Sequence, residues 1–327
     1  MLTLHDSFQR RFSYLRLSVT DVCNFKCVYC LPNGYTKAKQ AQKPLNLNEI
    51  KNLVHGFATL GFSKVRITGG EPTIRKDILE IISIVANTPG ISQVALSTNG
   101  YKLEEMASNL QKAGVNKINV SVDCLDEKRF EKITGKANLK KILAGIDIAL
   151  SLKYHAVKIN AVLLKECADQ DVEDFINFTK SIPVTVRFIE LMQTGSNLPL
   201  FRESHVSADF IKTKLIKAGW KILPREIDAG PAVEFEHPDY QGRIGIIAPY
   251  SKDFCSTCNR LRTTSQGGLK LCLFSDKDYD LRPMLQQEEQ MPELIERIRN
   301  LITYKSSSHF LQDGNYGNTS HFARIGG

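Results

Sequence analysis

The chain has 327 residues, of which 42% are hydrophobic, and it carries a formal net charge of +8. This length and composition predict a globular protein with a substantial core, built as one large domain or as a domain with a smaller module. No stretch approaches the roughly 18 to 20 apolar residues that a membrane helix needs, and the N-terminus lacks a signal-peptide pattern. We therefore expect a cytoplasmic location and no membrane association. Because no basic block is interleaved with aromatic residues, we also expect no nucleic-acid partner.

Six β-rich runs alternate with helical periods in the first part of the chain. The predicted strands cover residues 14–19, 64–68, 93–97, 117–122, 157–164 and 184–191. The predicted helices cover residues 47–60, 74–86, 102–113, 139–152 and 169–180. This alternation is typical of a parallel sheet with crossover helices, so we predict an α/β fold with a partial (β/α)6 TIM-like barrel, open at one side. Active sites of such barrels lie at the carboxyl ends of the strands.

The pattern changes beyond residue 195. We predict a helix at 205–218, strands at 233–235 and 243–248, and a last helix at 292–304. A Ser-, Gly- and Asn-rich tail follows and ends in Gly326 and Gly327, and its composition alone predicts flexibility. We therefore divide the chain into a barrel domain, residues 1–195, and an α+β C-terminal module, residues 196–327.

Three cysteines follow the first predicted strand in a CxxxCxxC pattern: Cys23, Cys27 and Cys30. Soft thiolates favour iron–sulfur clusters or zinc, and a structural zinc site normally closes with four protein ligands. No His or fourth Cys lies near this loop in the sequence. The spacing therefore favours a cluster that is held by three thiolates and keeps one iron open.

A second group of three thiols comprises Cys255, Cys258 and Cys272. By spacing alone, zinc stays open at this group, because a distant histidine such as His237 or His309 could complete the shell. Arg260 and Arg262 follow Cys258 directly, and two arginines beside an open metal site favour an anionic ligand.

Strand parity places polar side chains inside the predicted barrel. Successive strand residues face opposite sides of a sheet, and the helices around a barrel cover its apolar face. The residues predicted to face the lumen are Arg16, Ser18, Thr20, Lys64, Arg66, Thr68, Asn119, Ser121, Asp123, Lys158, Asn160, Thr185 and Arg187. Several converging cations indicate a multiply charged anion such as a nucleoside triphosphate. The alternative is that some of them pair with carboxylates such as Glu190 and Asp123.

The first cysteine motif, with an aromatic residue before its last Cys, resembles the radical S-adenosylmethionine (SAM) enzymes, whose open iron binds SAM. Across nearly the full chain, further motifs resemble the GTP 3′,8-cyclase family of molybdenum cofactor biosynthesis. These motifs are residues 16–21 (RLSVTD), 66–72 (RITGGEP), 97–100 (STNG), 119–123 (NVSVD), 187–192 (RFIELM), 254–262 (FCSTCNRLR), 272–274 (CLF) and the terminal glycine pair.

The resemblance implies two 4Fe–4S clusters, one on each cysteine group, with SAM as cofactor. It implies that SAM contacts Tyr29, Gly70, Ser121 and Met192. It implies that GTP contacts Arg16, Arg66, Ser97, Lys158, Arg187, Arg260 and Arg262. The first three cysteines, together with Arg260 and Arg262, are the implied catalytic residues. The family usually has Thr where Ser97 stands, a change that keeps the hydroxyl. Cys124 and Cys167 have no family role and are predicted to be structural thiols.

The implied activity is that of a lyase that forms (8S)-3′,8-cyclo-7,8-dihydroguanosine 5′-triphosphate from GTP. In the implied mechanism, reductive cleavage of SAM gives a 5′-deoxyadenosyl radical, which takes the 3′ hydrogen of GTP before C3′ attacks C8 of guanine. The family also implies a homodimer, a flavodoxin- or ferredoxin-type reductant, a downstream cyclic pyranopterin monophosphate synthase that receives the product, and a glycine tail that reaches the active site. Two alternatives stay open: a radical SAM peptide maturase with an auxiliary cluster, and a zinc-containing module that binds nucleic acid or protein.

Overall fold

The computed structural model describes residues 3–36, 42–226, 229–317, 319 and 321–326. The strands of these residues are β1 (Leu4–His5), β2 (Arg11–Phe12), β3 (Tyr14–Ser18), β4 (Lys64–Thr68), β5 (Gln93–Thr98), β6 (Lys117–Ser121), β7 (Ala156–Leu163), β8 (Thr185–Glu190), β9 (Lys221–Ile222), β10 (Val233–Glu236), β11 (Arg243–Ile247), β12 (Arg260–Thr263), β13 (Gly268–Lys270) and β14 (Tyr279–Asp280). The α-helices are α1 (Leu47–Thr59), α2 (Ile78–Ala86), α3 (Leu103–Ala113), α4 (Glu127–Thr134), α5 (Leu139–Ser151), α6 (Ala168–Ser181), α7 (Leu198–Ser204), α8 (Asp209–Lys217) and α9 (Met291–Ile302). Short 3₁₀ turns cover Pro72–Ile74, Lys165–Cys167, Arg282–Leu285, Glu288–Gln290, Leu311–Asp313 and Phe322–Arg324.

One large sheet runs through the molecule in the order β14-β13-β12-β3-β4-β5-β6-β7-β8-β11-β10-β9. The six strands from β3 to β8 are parallel neighbours in chain order, which confirms the predicted six-unit parallel core. Two strands of the C-terminal region extend this core, because β12 pairs parallel with β3 and β11 pairs parallel with β8. The C-terminal region therefore adds strands to both edges of the sheet. The division of the chain at residue 195 stays a prediction.

The helices pack on the apolar face of the central strands, as the alternation of side chains requires. Leu15, Leu17, Val65 and Ile67 are fully buried in the main hydrophobic core. In β7 the buried and half-buried positions alternate strictly, because one face meets helices and the other faces the lumen. No helix within the described ranges has the length and apolarity to cross a bilayer.

Two predicted helix starts are wrong, one because of local backbone geometry and one because of a partner on a distant strand. The helix predicted from residue 74 begins at Ile78, because Pro72–Ile74 forms a 3₁₀ turn and Arg75 is extended. The helix predicted from residue 205 begins at Asp209, because His205 is extended and its ring bonds to Glu190 at 2.9 Å. Hydrophobic periodicity carries no information about either constraint, since the first depends on backbone geometry and the second on a distant partner.

The buried side chain of Arg10, which forms an ion pair within the N-terminal hairpin, joins this hairpin to the C-terminal region. Arg10 Nη2 lies 2.7 Å from Asp6 Oδ2, and the two side chains are 6% and 0% exposed. The Arg10 guanidinium also donates to the carbonyls of Cys255 at 3.1 Å, Ser306 at 2.6 Å and Ser307 at 2.8 Å. One side chain therefore fixes three chain segments, one of which carries the second cysteine group.

Replacing Arg10 by Ala is expected to lower the free energy of unfolding by about 3 to 5 kcal/mol, because it leaves Asp6 buried without its partner. Denaturant unfolding followed by circular dichroism, at matched metal loading, measures this. The control is Lys51→Ala, which removes a pair with Glu288 whose side chains are 57% and 69% exposed. That control is expected to leave the free energy of unfolding nearly unchanged, because the pair is solvent-exposed, and equal losses in the two variants would contradict the prediction.

Candidate functional site

The first cysteine group follows the carboxyl end of β3 and lines a cavity of ≈170 Å³. Residues at or just beyond the carboxyl ends of β4 to β8 line the same cavity. Within the loop, the backbone N–H groups of Cys30 and Leu31 both donate to the Cys27 carbonyl at 2.9 Å, so Cys27 and Cys30 lie on one tight turn. The structure thus brings Cys23, Cys27 and Cys30 together where barrel active sites form.

The chemistry of these three thiols fits an iron–sulfur cluster. Burial raises the pKa of Cys23 to about 11, that of Cys30 to about 12 and that of Cys27 well above its ordinary value. Negative charge on the neighbouring thiols and on Asp123 adds to the rise for Cys27. The raised pKa values mean that the thiolate forms, which bind metal, are disfavoured in this cavity, where they repel one another. They need positive charge between them, and bound iron supplies that charge.

Gly70 allows the end of β4 to approach the cysteine loop. Its N–H donates to the Thr20 carbonyl at 2.7 Å, and the Glu71 N–H donates to the Val22 carbonyl at 2.8 Å. A Cβ on residue 70 would collide with the Val22 carbonyl, so this approach requires glycine. Pro72 then begins a 3₁₀ turn, as expected for a strand-to-helix connection.

Glu71 is buried and joins the ends of β4 and β5. Its Oε1 accepts a hydrogen bond from Thr98 Oγ1 at 2.8 Å, and its Oε2 accepts one from the Asn99 N–H at 2.6 Å. This fixes Asn99, whose Nδ2 lies 4.0 Å from Cys23 Sγ and donates to Asn24 Oδ1 at 2.8 Å. Asn99 was not among the predicted site residues, although it lies in the STNG motif.

All four residues that were predicted to contact SAM line this first cavity: Tyr29, Gly70, Ser121 and Met192. The Tyr29 hydroxyl donates to Asp123 Oδ2 at 2.9 Å, and the Val162 N–H donates to Asp123 Oδ1 at 2.9 Å. Burial raises the pKa of Asp123 to about 6. Burial, with the charge of Asp123, also raises the pKa of Tyr29 well above its ordinary value. Tyr29 therefore keeps its proton and holds a fixed orientation beside the cysteines.

A second cavity of ≈130 Å³ adjoins the first and shares Asn160, Ile189 and Met192 with it. Its cationic lining consists of Arg16, Lys64, Arg66, Arg187, Arg260, Arg262 and Lys305. Three of these arginines stand in register on neighbouring strands, because Arg262 on β12 pairs with Arg16 on β3, and Arg16 pairs with Arg66 on β4. This arrangement suits an anion with several charged oxygens.

Two residues predicted to contact GTP lie outside this cationic lining. Ser97 lines the first cavity and accepts a hydrogen bond from Arg66 Nη1 at 3.3 Å. Lys158 is not among the described residues that line either cavity, and its Nζ lies 2.6 Å from Glu234 Oε1. The alternative of pairing with a carboxylate therefore applies to Lys158, although the partner is Glu234 and not Glu190 or Asp123.

The C-terminal tail lies against the cationic lining of the second cavity. The Gly326 carbonyl accepts hydrogen bonds from Arg16 Nη2 at 2.6 Å and from Arg262 Nη1 at 2.8 Å. Phe322 and Ala323 of the same tail line the first cavity. Gly327, the other half of the predicted glycine pair, lies outside the described residues.

Tyr14 lies at the centre of the cation cluster, a position that sequence reasoning missed. Its hydroxyl accepts a short hydrogen bond from Arg66 Nε, and Lys64 Nζ lies 4.6 Å from the centre of its ring. Burial acts to raise the pKa of Tyr14, but Arg66, Arg16 and Lys64 together lower it to about 6. Tyr14 lies two residues before Arg16 on the same strand, so both side chains face the lumen. The strand parity that predicted Arg16 could therefore also have predicted Tyr14.

The second cysteine group lines the cationic cavity: Cys255, Cys258 and Cys272. Burial acts to raise the pKa of Cys258, but Arg260 and Lys305 lower it to about 6. Arg260 Nη2 lies 3.9 Å from Cys258 Sγ. A thiolate held beside cations, with two further thiols in the same cavity, is a suitable donor set for a second iron–sulfur cluster.

The two histidines considered for a zinc site lie in different places. His237 contacts Trp220, with ring centroids 5.6 Å apart, and is not among the described residues that line either cavity. His309 lines the cationic cavity, and its Nε2 has no hydrogen-bond partner within the described residues. In the parts of the chain that the structure describes, no three His, Cys, Asp or Glu side chains are arranged to hold a single metal ion.

Comparison with known proteins decides the family. The profile described as "Radical SAM superfamily" matches residues 17–179, and "Molybdenum Cofactor Synthesis C" matches residues 184–311. A protein of Vibrio vulnificus named GTP 3′,8-cyclase is 50% identical over 323 residues, which are 98% of this chain and 97% of that protein. The chain belongs to the GTP 3′,8-cyclase family of the radical SAM superfamily.

Further members of this family and solved structures extend the comparison. GTP 3′,8-cyclases of Aeromonas hydrophila and Haemophilus ducreyi are 50% and 47% identical, over 100% and 99% of this chain and 97% and 95% of their own lengths. Streptococcus suis SuiB bound to S-adenosylmethionine has a TM-score of 0.60 at 13% identity, covering 88% of this chain and 68% of that one. At that identity, SuiB shows the shared fold alone.

Tyr14 is expected to ionise near pH 6 in the folded protein. Because this folded pKa lies below the ordinary value of about 10, ionisation of Tyr14 adds stability as pH rises from about 6 towards 10, and that stability is lost as pH falls through about 6. The measurement is the near-ultraviolet tyrosinate absorbance against pH. Tyr14→Phe should abolish the transition, whereas Tyr154→Phe, which removes a buried phenol of raised pKa, should leave it intact.

Gly326→Ala is expected to displace the tail, because residue 326 has φ of +62° and a Cβ there would collide with Thr68. Carboxypeptidase should then release C-terminal residues about tenfold faster or more, as followed by mass spectrometry. The matched control is Gly314→Ala, which has a similar φ of +77° but meets no atom within 4 Å. Equal release rates in wild type and Gly326→Ala would show that the tail contact does not hold the terminus.

Proposed function

We propose that this chain converts GTP to (8S)-3′,8-cyclo-7,8-dihydroguanosine 5′-triphosphate, an early step of molybdenum cofactor biosynthesis. The observation that carries the proposal is the pair of adjoining cavities, each lined by three cysteines, of which one also has a wall of arginines. The relatives of about 50% identity that are named GTP 3′,8-cyclase support it over nearly the full chain.

The first cavity would hold the 4Fe–4S cluster on Cys23, Cys27 and Cys30, with SAM beside it. When bound, these groups supply the reductive cleavage of SAM to methionine and the hydrogen-abstracting 5′-deoxyadenosyl radical. The chain contributes Tyr29, whose hydroxyl is held by Asp123, as a fixed wall. It also contributes Gly70, whose lack of a side chain lets the end of β4 pack against the cysteine loop. Ser121 offers a hydroxyl, and Met192 stands where the two cavities meet.

The second cavity would bind GTP. Arg16, Arg66, Arg187, Arg260 and Arg262 line this cavity and supply donors for the triphosphate and the guanine. The family resemblance adds Ser97, which lines the first cavity, and Lys158, which is not among the described residues that line either cavity. A second 4Fe–4S cluster on Cys255, Cys258 and Cys272 would hold the guanine ring beside Arg260. Because the cavities join at Asn160, Ile189 and Met192, the ribose of GTP would lie next to SAM, and fixing the two reactants in this way removes much of the entropic barrier.

We propose the family's partners for this chain as well. They are a second copy of the chain in a homodimer, a flavodoxin- or ferredoxin-type reductant, and a downstream cyclic pyranopterin monophosphate synthase that takes the product. These proposals rest on family membership, since the structure contains one chain.

The deciding experiment is anaerobic turnover of SAM with GTP deuterated at C3′, using reconstituted and reduced protein. We expect deuterium in the 5′-deoxyadenosine, read by mass spectrometry, together with the cyclised nucleotide. Unlabelled 5′-deoxyadenosine would contradict GTP as the hydrogen donor. Absence of 5′-deoxyadenosine at full iron loading would contradict the role of the first cysteine group.

Cys258→Ser tests the second cysteine group. We expect this variant to lose about half of its iron, to bind SAM normally and to lose GTP cyclisation, because only the second cluster is disrupted. Cys167→Ser is the matched control, since Cys167 is not among the described residues that line the cavities, and full activity is expected. Retained cyclisation in Cys258→Ser would refute the assignment. A wild-type protein that contains zinc and the iron of one cluster only would favour a zinc module.

A further inference from the structure

Glu234 on β10 contacts two of the cations that we assign to GTP. Its Oε1 lies 2.6 Å from Lys158 Nζ and 3.5 Å from Arg187 Nε. The side chains of Glu234, Lys158 and Arg187 are only 22%, 18% and 11% exposed. Of these three side chains, Arg187 lines the cavity proposed for GTP, so the Glu234 carboxylate contacts a cation that the proposed function assigns to the triphosphate.

The strand register explains how a residue of the C-terminal region reaches this position. Glu234 on β10 pairs with Gly245 on β11, and Gly245 pairs with Arg187 on β8, so the three residues form a row across the sheet. A Cβ on Gly245 would lie 3.0 Å from Arg187 Cγ and 3.6 Å from Glu234 Cγ. Because residue 245 has no side chain, Glu234 and Arg187 meet above it.

The three side chains are mainly charged near neutral pH, but their hydrogen bonds to one another are incomplete. Burial lowers the pKa of Lys158 to about 8, and Lys158 and Arg187 lower the pKa of Glu234 in spite of its burial. Arg187 Nε has no hydrogen-bond partner within the described residues, since 3.5 Å is too long for a good bond. A polyphosphate, with more oxygens than one carboxylate, can offer Arg187 the bond that Glu234 does not.

We propose that Glu234 is an internal competitor for the triphosphate of GTP. It holds Lys158 and Arg187 before the substrate binds, and the triphosphate takes over both cations as it enters. Glu234 thereby sets the affinity of the site for GTP and discourages weaker anions, which cannot displace it. This inference rests on the proposed function and adds to it a residue that limits substrate affinity.

Glu234→Gln keeps the size of the side chain and removes its charge. It is expected to bind GTP and inorganic triphosphate roughly tenfold more tightly than wild type, because one like charge no longer opposes the ligand. Anaerobic isothermal titration calorimetry of the iron-loaded protein measures this. Glu236→Gln is the matched control, because Glu236 lies two residues along the same strand and pairs with Arg243 at 3.6 Å, both side chains being 50% exposed. Its affinity should equal that of wild type.

Two further variants keep the test decisive. Glu234→Asp retains the charge on a shorter side chain, so it is expected to bind GTP more tightly than wild type but less tightly than Glu234→Gln. This variant replaces Glu234→Gln in the test if Glu234→Gln folds poorly. In a Lys158→Met background, the gain from Glu234→Gln should shrink, since one of the two contested cations is gone.

Unchanged or weaker binding in folded Glu234→Gln, with normal binding in wild type, would overturn the inference and leave the proposed function intact. It would mean that Glu234 positions the cations for the ligand. Failure of wild type to bind either GTP or inorganic triphosphate would overturn the proposed function, and the inference with it.

Discussion

The concentration of positive charge inside the barrel is the constraint on which the rest of the structure depends. Arg16, Arg66 and Arg262 stand side by side on three neighbouring strands, and Arg66 and Arg262 are buried. Buried like charges are costly unless hydrogen bonds and negative partners compensate them. The chain supplies such partners from three separate places. The Tyr14 hydroxyl bonds to Arg66, and the Gly326 carbonyl bonds to Arg16 and Arg262. The Glu234 carboxylate contacts Arg187 and Lys158, which belong to other strands of the same barrel.

Two of these three partners, Glu234 and Gly326, come from the C-terminal region. Their contacts with the barrel depend on the strands by which this region extends the sheet. Strand β12 has to pair with β3 for Arg262 to stand beside Arg16, and β11 has to pair with β8 for Glu234 to reach Arg187 across Gly245. An appended module with its own separate core would not place these groups in the lumen. Extension of the sheet at both edges therefore completes the cationic wall and gives it a fixed geometry, which is what electrostatic recognition of a polyphosphate requires.

Much of this arrangement follows from the sequence, because strand parity is a local property. The period of two placed Arg66 and Arg187 in the lumen, and the structure finds both in the cationic cavity. The strand that carries Arg260 and Arg262 was not predicted, because it is short and polar and forms by pairing with β3, more than two hundred residues earlier. Glu234 was not predicted as a site residue for a similar reason. Its partners are set by the register of three strands, and the period of its own strand carries no information about that register.

The two cysteine groups differ in the electrostatic surroundings of one thiol each, Cys27 and Cys258, and this difference suits the different tasks proposed for the groups. Cys27 lies near Asp123, and burial and negative charge raise its pKa, whereas Arg260 and Lys305 lower the pKa of Cys258 to about 6. Net charge around an iron–sulfur cluster is one of the determinants of its reduction potential, and negative surroundings disfavour the reduced form. A cluster on the first group would accordingly be the stronger reductant, as cleavage of SAM demands. A cluster on the second group would lie among the cations proposed to bind GTP, so one set of charges would serve both the substrate and the metal centre beside it.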